Sequence, residues 1–112
     1  MKKTIIRIAV PSNNGKDIYK GMLGRADKFF IFEIDEGKKF SLIEERKNPY
    51  SRSMQHLKTL DVYNLIKDCS VILSAKIGKK GIDRLRQRNV RLIFRKGKID
   101  EQLISILKTE LF

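Results

Sequence analysis

Cysteine is nearly absent from this 112-residue chain, in which Cys69 stands alone. One thiol forms no intrachain disulfide and no cysteine-only zinc site, so a reducing compartment is expected. Long apolar runs are missing too. The start, Met1-Lys2-Lys3-Thr4, imitates the basic end of an export signal, but the run after it is broken by Arg7 and stopped by Pro11. No segment approaches the ~20 apolar residues that cross a bilayer as a helix, so a cytoplasmic protein with no membrane partner is expected. Histidine occurs once, as His56. A lone imidazole with no paired nucleophile makes no acyl-transfer triad. Acids are scarce: 25 Lys and Arg against 13 Asp and Glu leave a formal charge of +12.

What is present reads as one soluble domain over residues 1–112. A hydrophobic share of 41% beside 34% charged residues is globular and not disordered. That length buries a core without disulfide or metal staples. The positive charge is concentrated. From Lys76 to Lys98, ten Lys or Arg meet a single acid, Asp83. Such a field attracts polyanions or an acidic partner, and it equally serves as a solvated surface that keeps a protein soluble.

Residues 5–10 form a β-rich run, with Pro11 through Gly15 as its turn. About 18 residues then precede the next strand, which is long for a structureless connection. Either a helical turn near 16–23 absorbs part of it or the segment is a binding loop. Residues 29–34 and 40–43 flank Asp35-Glu36-Gly37-Lys38 as a hairpin, with Gly37 able to take positive φ. The charges from Glu44 to Lys47 suit a sheet edge. Val62, Leu65 and Ile66 share a helical face capped by Thr59 or Asp61, after an irregular lead-in at 51–58. Residues 70–75 read as an inner strand covered on both faces. A helix after Gly78 turns Ile82 and Leu85 inward and Lys80, Arg84 and Arg88 outward, and Asn89 suits its left-handed end. Residues 90–94 form a strand near an edge. A last helix starts at Asp100 and Glu101 and buries Leu103, Leu107 and Leu111, supported by Ile104. The order β-ββ-α-β-α-β-α predicts an α/β fold: a five-stranded mixed sheet, its second strand antiparallel, with helices on both faces.

Ligands of open α/β sheets gather beyond the carboxyl ends of central strands. That end collects Met22, Gly24 and Arg25 after the first strand, His56 before the first helix, and Gly78 after the inner strand. Arg25, between Gly24 and an aromatic strand, is an anion clamp or a structural ion pair. Gly78 opens a helix whose backbone amides are anion donors. Met22 is core filler or a soft contact, and His56 a surface residue or an imidazole partner. Cys69 precedes its strand at the opposite end, about 20 Å away at ~3.3 Å per residue, and reads as a buried small hydrophobe. No glycine pattern makes a phosphate loop. Strand 5–10 offers no carboxylates for metal-dependent nuclease chemistry, so no catalytic residue is expected. Nucleic acid is the alternative partner, met by Lys80, Arg84 and Arg88 at four-residue spacing, though without interleaved aromatics.

Several strings together resemble the dinitrogenase iron–molybdenum cofactor biosynthesis family of small nitrogenase accessory proteins. They are Ile8-Ala9-Val10-Pro11, Gly24-Arg25-Ala26 leading into Phe29-Phe30-Ile31-Phe32-Glu33-Ile34, Asn48-Pro49, Cys69-Ser70-Val71-Ile72-Leu73, Ile77-Gly78, and the helix end at 85–90. The resemblance covers nearly the whole chain. It implies a ribonuclease H-like sheet and a non-enzymatic carrier of an iron–sulfur cluster or its molybdenum-bearing product, exchanging with donor and acceptor proteins; a monomer or weak dimer is expected. Many members carry a histidine and an aromatic residue before the Gly-Arg pair. Here those positions hold Met22 and Leu23.

Overall fold

The structure is a computed structural model that describes residues 5–36, 39–51 and 59–109. Its elements are β1 (Ile6–Ser12), β2 (Lys28–Ile34), β3 (Phe40–Lys47), α1 (Thr59–Ile66), β4 (Val71–Ser74), α2 (Lys79–Gln87), β5 (Arg91–Phe94) and α3 (Ile99–Thr109). One mixed sheet runs in the order β3-β2-β1-β4-β5. The pairs β1·β2 and β2·β3 are antiparallel, while β1·β4 and β4·β5 are parallel.

Alternation along the strands sorts the apolar residues into two cores. Ile8, Val10, Phe30, Phe32, Ile34, Val71, Leu73 and Ile93 face α3. Ala9, Phe29, Ile31 and Ile72 face α1 and α2. Strands covered on both faces need side chains that are apolar at every position, which is why β1, β2 and β4 read as near-continuous hydrophobic runs. β3 instead lies at the sheet edge and is largely exposed. An irregularity between Ile31 and Phe32 leaves Ile43 as an extra residue opposite them, so the strand bulges and the alternation resets.

Four expectations are corrected, and the open choice at 16–23 is decided against the helical turn. Pro11 does not end β1, which runs to Ser12. Ser70 N–H donates to Arg7 O (3.1 Å), so residues 7, 9 and 11 turn their backbone groups toward β4. The β4 ladder pairs only Ile8 and Ala9, and Pro11 lies beyond it, where its missing N–H forfeits nothing. No helix forms over 16–23. The chain instead lies between the splayed ends of β1 and β4, held by Tyr19 N–H to Pro11 O (2.8 Å), Ile18 N–H to Gly97 O (2.9 Å) and Leu23 N–H to Lys76 O (2.9 Å). Backbone satisfied by neighbouring segments has no need of a helical turn. Ile82 is only half-buried, since the inner stripe of α2 is Gly81 and Leu85. In α3 it is Ile106 that is fully buried, while Ile104 is 47% exposed, because Ile99, Leu103, Ile106 and Leu107 share the inward face. Val90 is buried but precedes β5, just after the turn at Arg88 and Asn89; Asn89 does adopt positive φ, +60°. The hairpin tip at Gly37, the lead-in at 52–58 with His56, and Leu111 lie outside the described residues.

Candidate functional site

β1 and β4 run parallel and adjacent, but their onward connections leave in opposite directions, to β2 and to β5. Chains diverging from neighbouring parallel strands leave a crevice at their carboxyl ends. Here that crevice measures about 460 Å³ and is lined by residues 22–25, Val62 and residues 77–81. Its size falls within the roughly 300–1,000 Å³ of small-ligand clefts.

One wall is the segment that follows β1. Met22 bridges to Lys76, and a 3-10 turn from Leu23 to Arg25 closes with Arg25 N–H donating to Met22 O (2.9 Å). Leu23 is buried and anchors the turn, which leaves Met22 and Arg25 exposed toward the opening. Asn48 holds the turn from behind and is itself 4% exposed. Its Nδ2 donates to Gly24 O (2.9 Å) and Ala26 O (2.8 Å), and its Oδ1 accepts from Tyr50 N–H (3.0 Å). Asn13 Oδ1 accepts from Asp27 N–H (2.8 Å) on the far side. In the sequence Asn48 reads as part of the break after the charged strand and as part of one of the strings that carry the resemblance. Its role was not legible there, because its partners lie 22 and 24 residues away.

The facing wall is the start of α2. Gly78 is its N-cap, with no side chain to cap the first amides, and Gly78 O accepts from Ile82 N–H (2.9 Å). The Met22 methyl rests on Gly78: a Cβ there would lie 3.0 Å from it. The first turn of α2 holds no acid, only Lys79 and Lys80. Helix N-termini carry positive partial charge, so carboxylates are favoured there and cations disfavoured. Among the described residues, the crevice lining contains no Asp or Glu. Two lysines against a positive dipole end, facing Arg25, make a site suited to an anion.

The structure therefore brings together Met22, Gly24, Arg25 and Gly78 and adds Lys79 and Lys80. His56 is outside the described residues. Cys69 takes no part. It is 3% exposed beside the start of β4, and its thiol is pushed up to about 12 by burial and by the negative Asp68. Asp68 sits there in an ion-pair network: Arg46 reaches it at 2.6 and 2.8 Å and Arg7 at 3.0 Å. Hydrogen bonds from Arg46 hold the Asp68 carboxyl well below the usual range. Glu33 pairs with Arg7 at 2.9 Å. Among the described residues, no group of three His, Cys, Asp or Glu is placed to hold a metal ion. No helix among them is long and apolar enough to cross a membrane. The basic stretch divides: Lys79 and Lys80 line the crevice, while Arg88 stacks 5.6 Å over the Tyr63 ring and bonds Arg84 O.

Fold and crevice define a small α/β protein with a cationic pocket at its switch point. The family described as dinitrogenase iron-molybdenum cofactor matches residues 4–109, and the chain belongs to that family. Its fold is shared with solved structures. PH0822 superposes with a TM-score of 0.75 at 21% identity, over 96% of this chain and 95% of that one. The apo form of the orange protein from Desulfovibrio gigas gives 0.67 at 18% identity, over 91% and 86%. A Methanocaldococcus jannaschii protein provisionally named a dinitrogenase gives 0.67 at 12%, over 97% and 94%. No curated protein matches the sequence.

Proposed function

We propose that this protein is a non-enzymatic, cytoplasmic accessory protein on a ribonuclease H-like sheet. Its crevice holds an anionic iron–sulfur or iron–molybdenum type cofactor, or a related small anion, as cargo between donor and acceptor proteins. The observation that carries the reading is a crevice with no acid among its described lining residues, and with Lys79, Lys80 and Arg25 around the uncapped start of α2. The donor set suits a whole anionic cluster better than a bare metal ion. Met22 offers a weak thioether, and the other described lining residues offer cations, amides and apolar surface. A guest held this way brings its own sulfide ligands and is retained by charge, amide hydrogen bonds and contact with Leu23, Val62 and Ile77.

In this reading Arg25 is the electrostatic clamp, and Gly24 and Gly78 let backbone approach the guest. The amides at the Gly78 turn are donors, and Met22 is the soft contact. His56 stays in the proposed set on the sequence alone.

The test is anaerobic loading of the purified chain with an iron–sulfur cluster, read by visible absorption after desalting. Wild type retains colour, the Lys79→Ala/Lys80→Ala variant loses most of it, and His56→Ala and Met22→His report the two soft positions. An uncoloured wild type that instead binds a short DNA duplex with a steep salt slope refutes the carrier reading.

A further inference from the structure

The two edges of the sheet differ in charge. β3 presents Glu44 and Glu45 balanced by Arg46 and Lys47, whereas β5 presents Arg91 and is followed by Arg95 and Lys96 with no acid among them. Among the described residues, β5 has one strand neighbour, β4. Arg91 N–H donates to Ser70 O (2.9 Å) and Arg95 N–H to Ser74 O (3.1 Å). Alternation along a ladder therefore turns the backbone groups of Leu92 and Phe94 toward the open side. Phe94 is 36% exposed although it belongs to a strand, and α2 beside it exposes Arg84 and Arg86. The Arg95 guanidinium donates to Phe94 O (2.9 Å), covering one edge carbonyl with a displaceable cation.

We propose that the β5 edge is a docking strand for an extended acidic segment of a partner protein, which adds alongside it by backbone pairing. The charge selects the occupant. A second β5 edge would set arginine against arginine, and like charges across strands repel. An acidic strand instead meets Arg91 on the α3 face and the cations of α2 on the other. The outward backbone groups supply the pairing, and Phe94 the apolar anchor. A nucleic-acid duplex matches the charge but offers no row of N–H and C=O groups at strand spacing. The proposal is independent of what the crevice holds.

The test titrates the full chain into a fluorescein-labelled eight-residue peptide of alternating Glu and Val, followed by anisotropy. A second peptide of equal charge carries N-methyl groups on alternate amides, which abolishes strand pairing without touching the protein. Binding of the first peptide, weakened about tenfold by N-methylation and comparably by Arg91→Glu or Phe94→Ala, supports the docking strand. Equal binding of the N-methylated peptide overturns it, since bare charge attraction would then suffice. A DNA duplex that displaces the peptide at equal charge concentration overturns it in favour of nucleic acid. Self-association of the chain that Glu44→Lys abolishes makes β3 of a second copy the occupant and likewise overturns it.

Discussion

Replacing Asn48 with alanine is the sharpest probe of how the crevice is held. The side chain makes three hydrogen bonds, two donated to Gly24 O and Ala26 O and one accepted from Tyr50 N–H. Alanine removes all three and opens little space for water, because the residue is 4% exposed. Stranding a buried acceptor costs about 1–3 kcal/mol. Of the two carbonyls, that of Ala26 is bonded in a buried setting and that of Gly24 in a partly buried one. The combined loss is therefore about 2–4 kcal/mol. For a domain near 100 residues, each kcal/mol moves the melting temperature by roughly 4–8 °C, so Tm falls by roughly 8–32 °C. Asn48→Asp destabilises at least as much, since it keeps an acceptor for Tyr50 but aims a carboxylate oxygen at two carbonyls. Thermal melts followed by circular dichroism measure both variants. Hydrogen exchange at Leu23 and Arg25 reports whether the turn loosens before the core. A melt for Asn48→Ala within about 3 °C of wild type would refute the reasoning, because the turn would then be held by something else.

Asp68 makes stability depend on acid. Its carboxyl is held low by Arg46 and then by Arg7, so the unfolded chain takes up a proton first as pH falls, and the contribution is present above about pH 4 and lost below it. Asp68→Asn should cost about 1 kcal/mol at pH 7, a figure limited by solvent screening of these half-exposed partners, and the gap to wild type should close in acid. Urea melts from pH 7 to pH 2 test this, and a gap that widens in acid would contradict it. The Cys69 thiol, pushed up to about 12, stays protonated near neutrality, so it should react with iodoacetamide at pH 8 more than tenfold slower than a short exposed cysteine peptide. Labelling at the peptide rate would mean that the site opens readily. Two neighbours on α3 should differ sharply: Leu103→Ala costs about 2–5 kcal/mol, whereas Ile104→Ala changes stability by about 0.5 kcal/mol or less. Comparable losses in denaturant melts would mean that the helix is turned differently.

Much of the architecture was legible because it depends on local pattern. A strand buried on both faces must be apolar nearly throughout, and residues 70–75 show that pattern in the sequence, as the buried β4 bears out. A charged edge strand must be polar, as Glu44 through Lys47 are. Asn89 announced the end of α2 because few residues tolerate positive φ. Pattern failed where the partner is distant. Pro11 reads as a strand breaker unless the end of the β4 ladder is known. Ile104 and Ile106 both fit an apolar stripe, and only the direction of α3 over the sheet separates them.

The crevice divides in the same way. Sequence alone determined which residues would follow β1 and β4, and so placed Met22, Gly24, Arg25 and Gly78 at one end of the sheet. Only the tertiary structure set the Met22 methyl against Gly78, brought Lys79 and Lys80 to face Arg25, and put Asn48 behind the turn. Strand order follows from periodicity and connection length, which are properties of neighbours in the chain. The shape and charge of the crevice come from segments about 50 residues apart, whose meeting is decided by the parallel pairing of Ile8 with Val71 and Ala9 with Ile72.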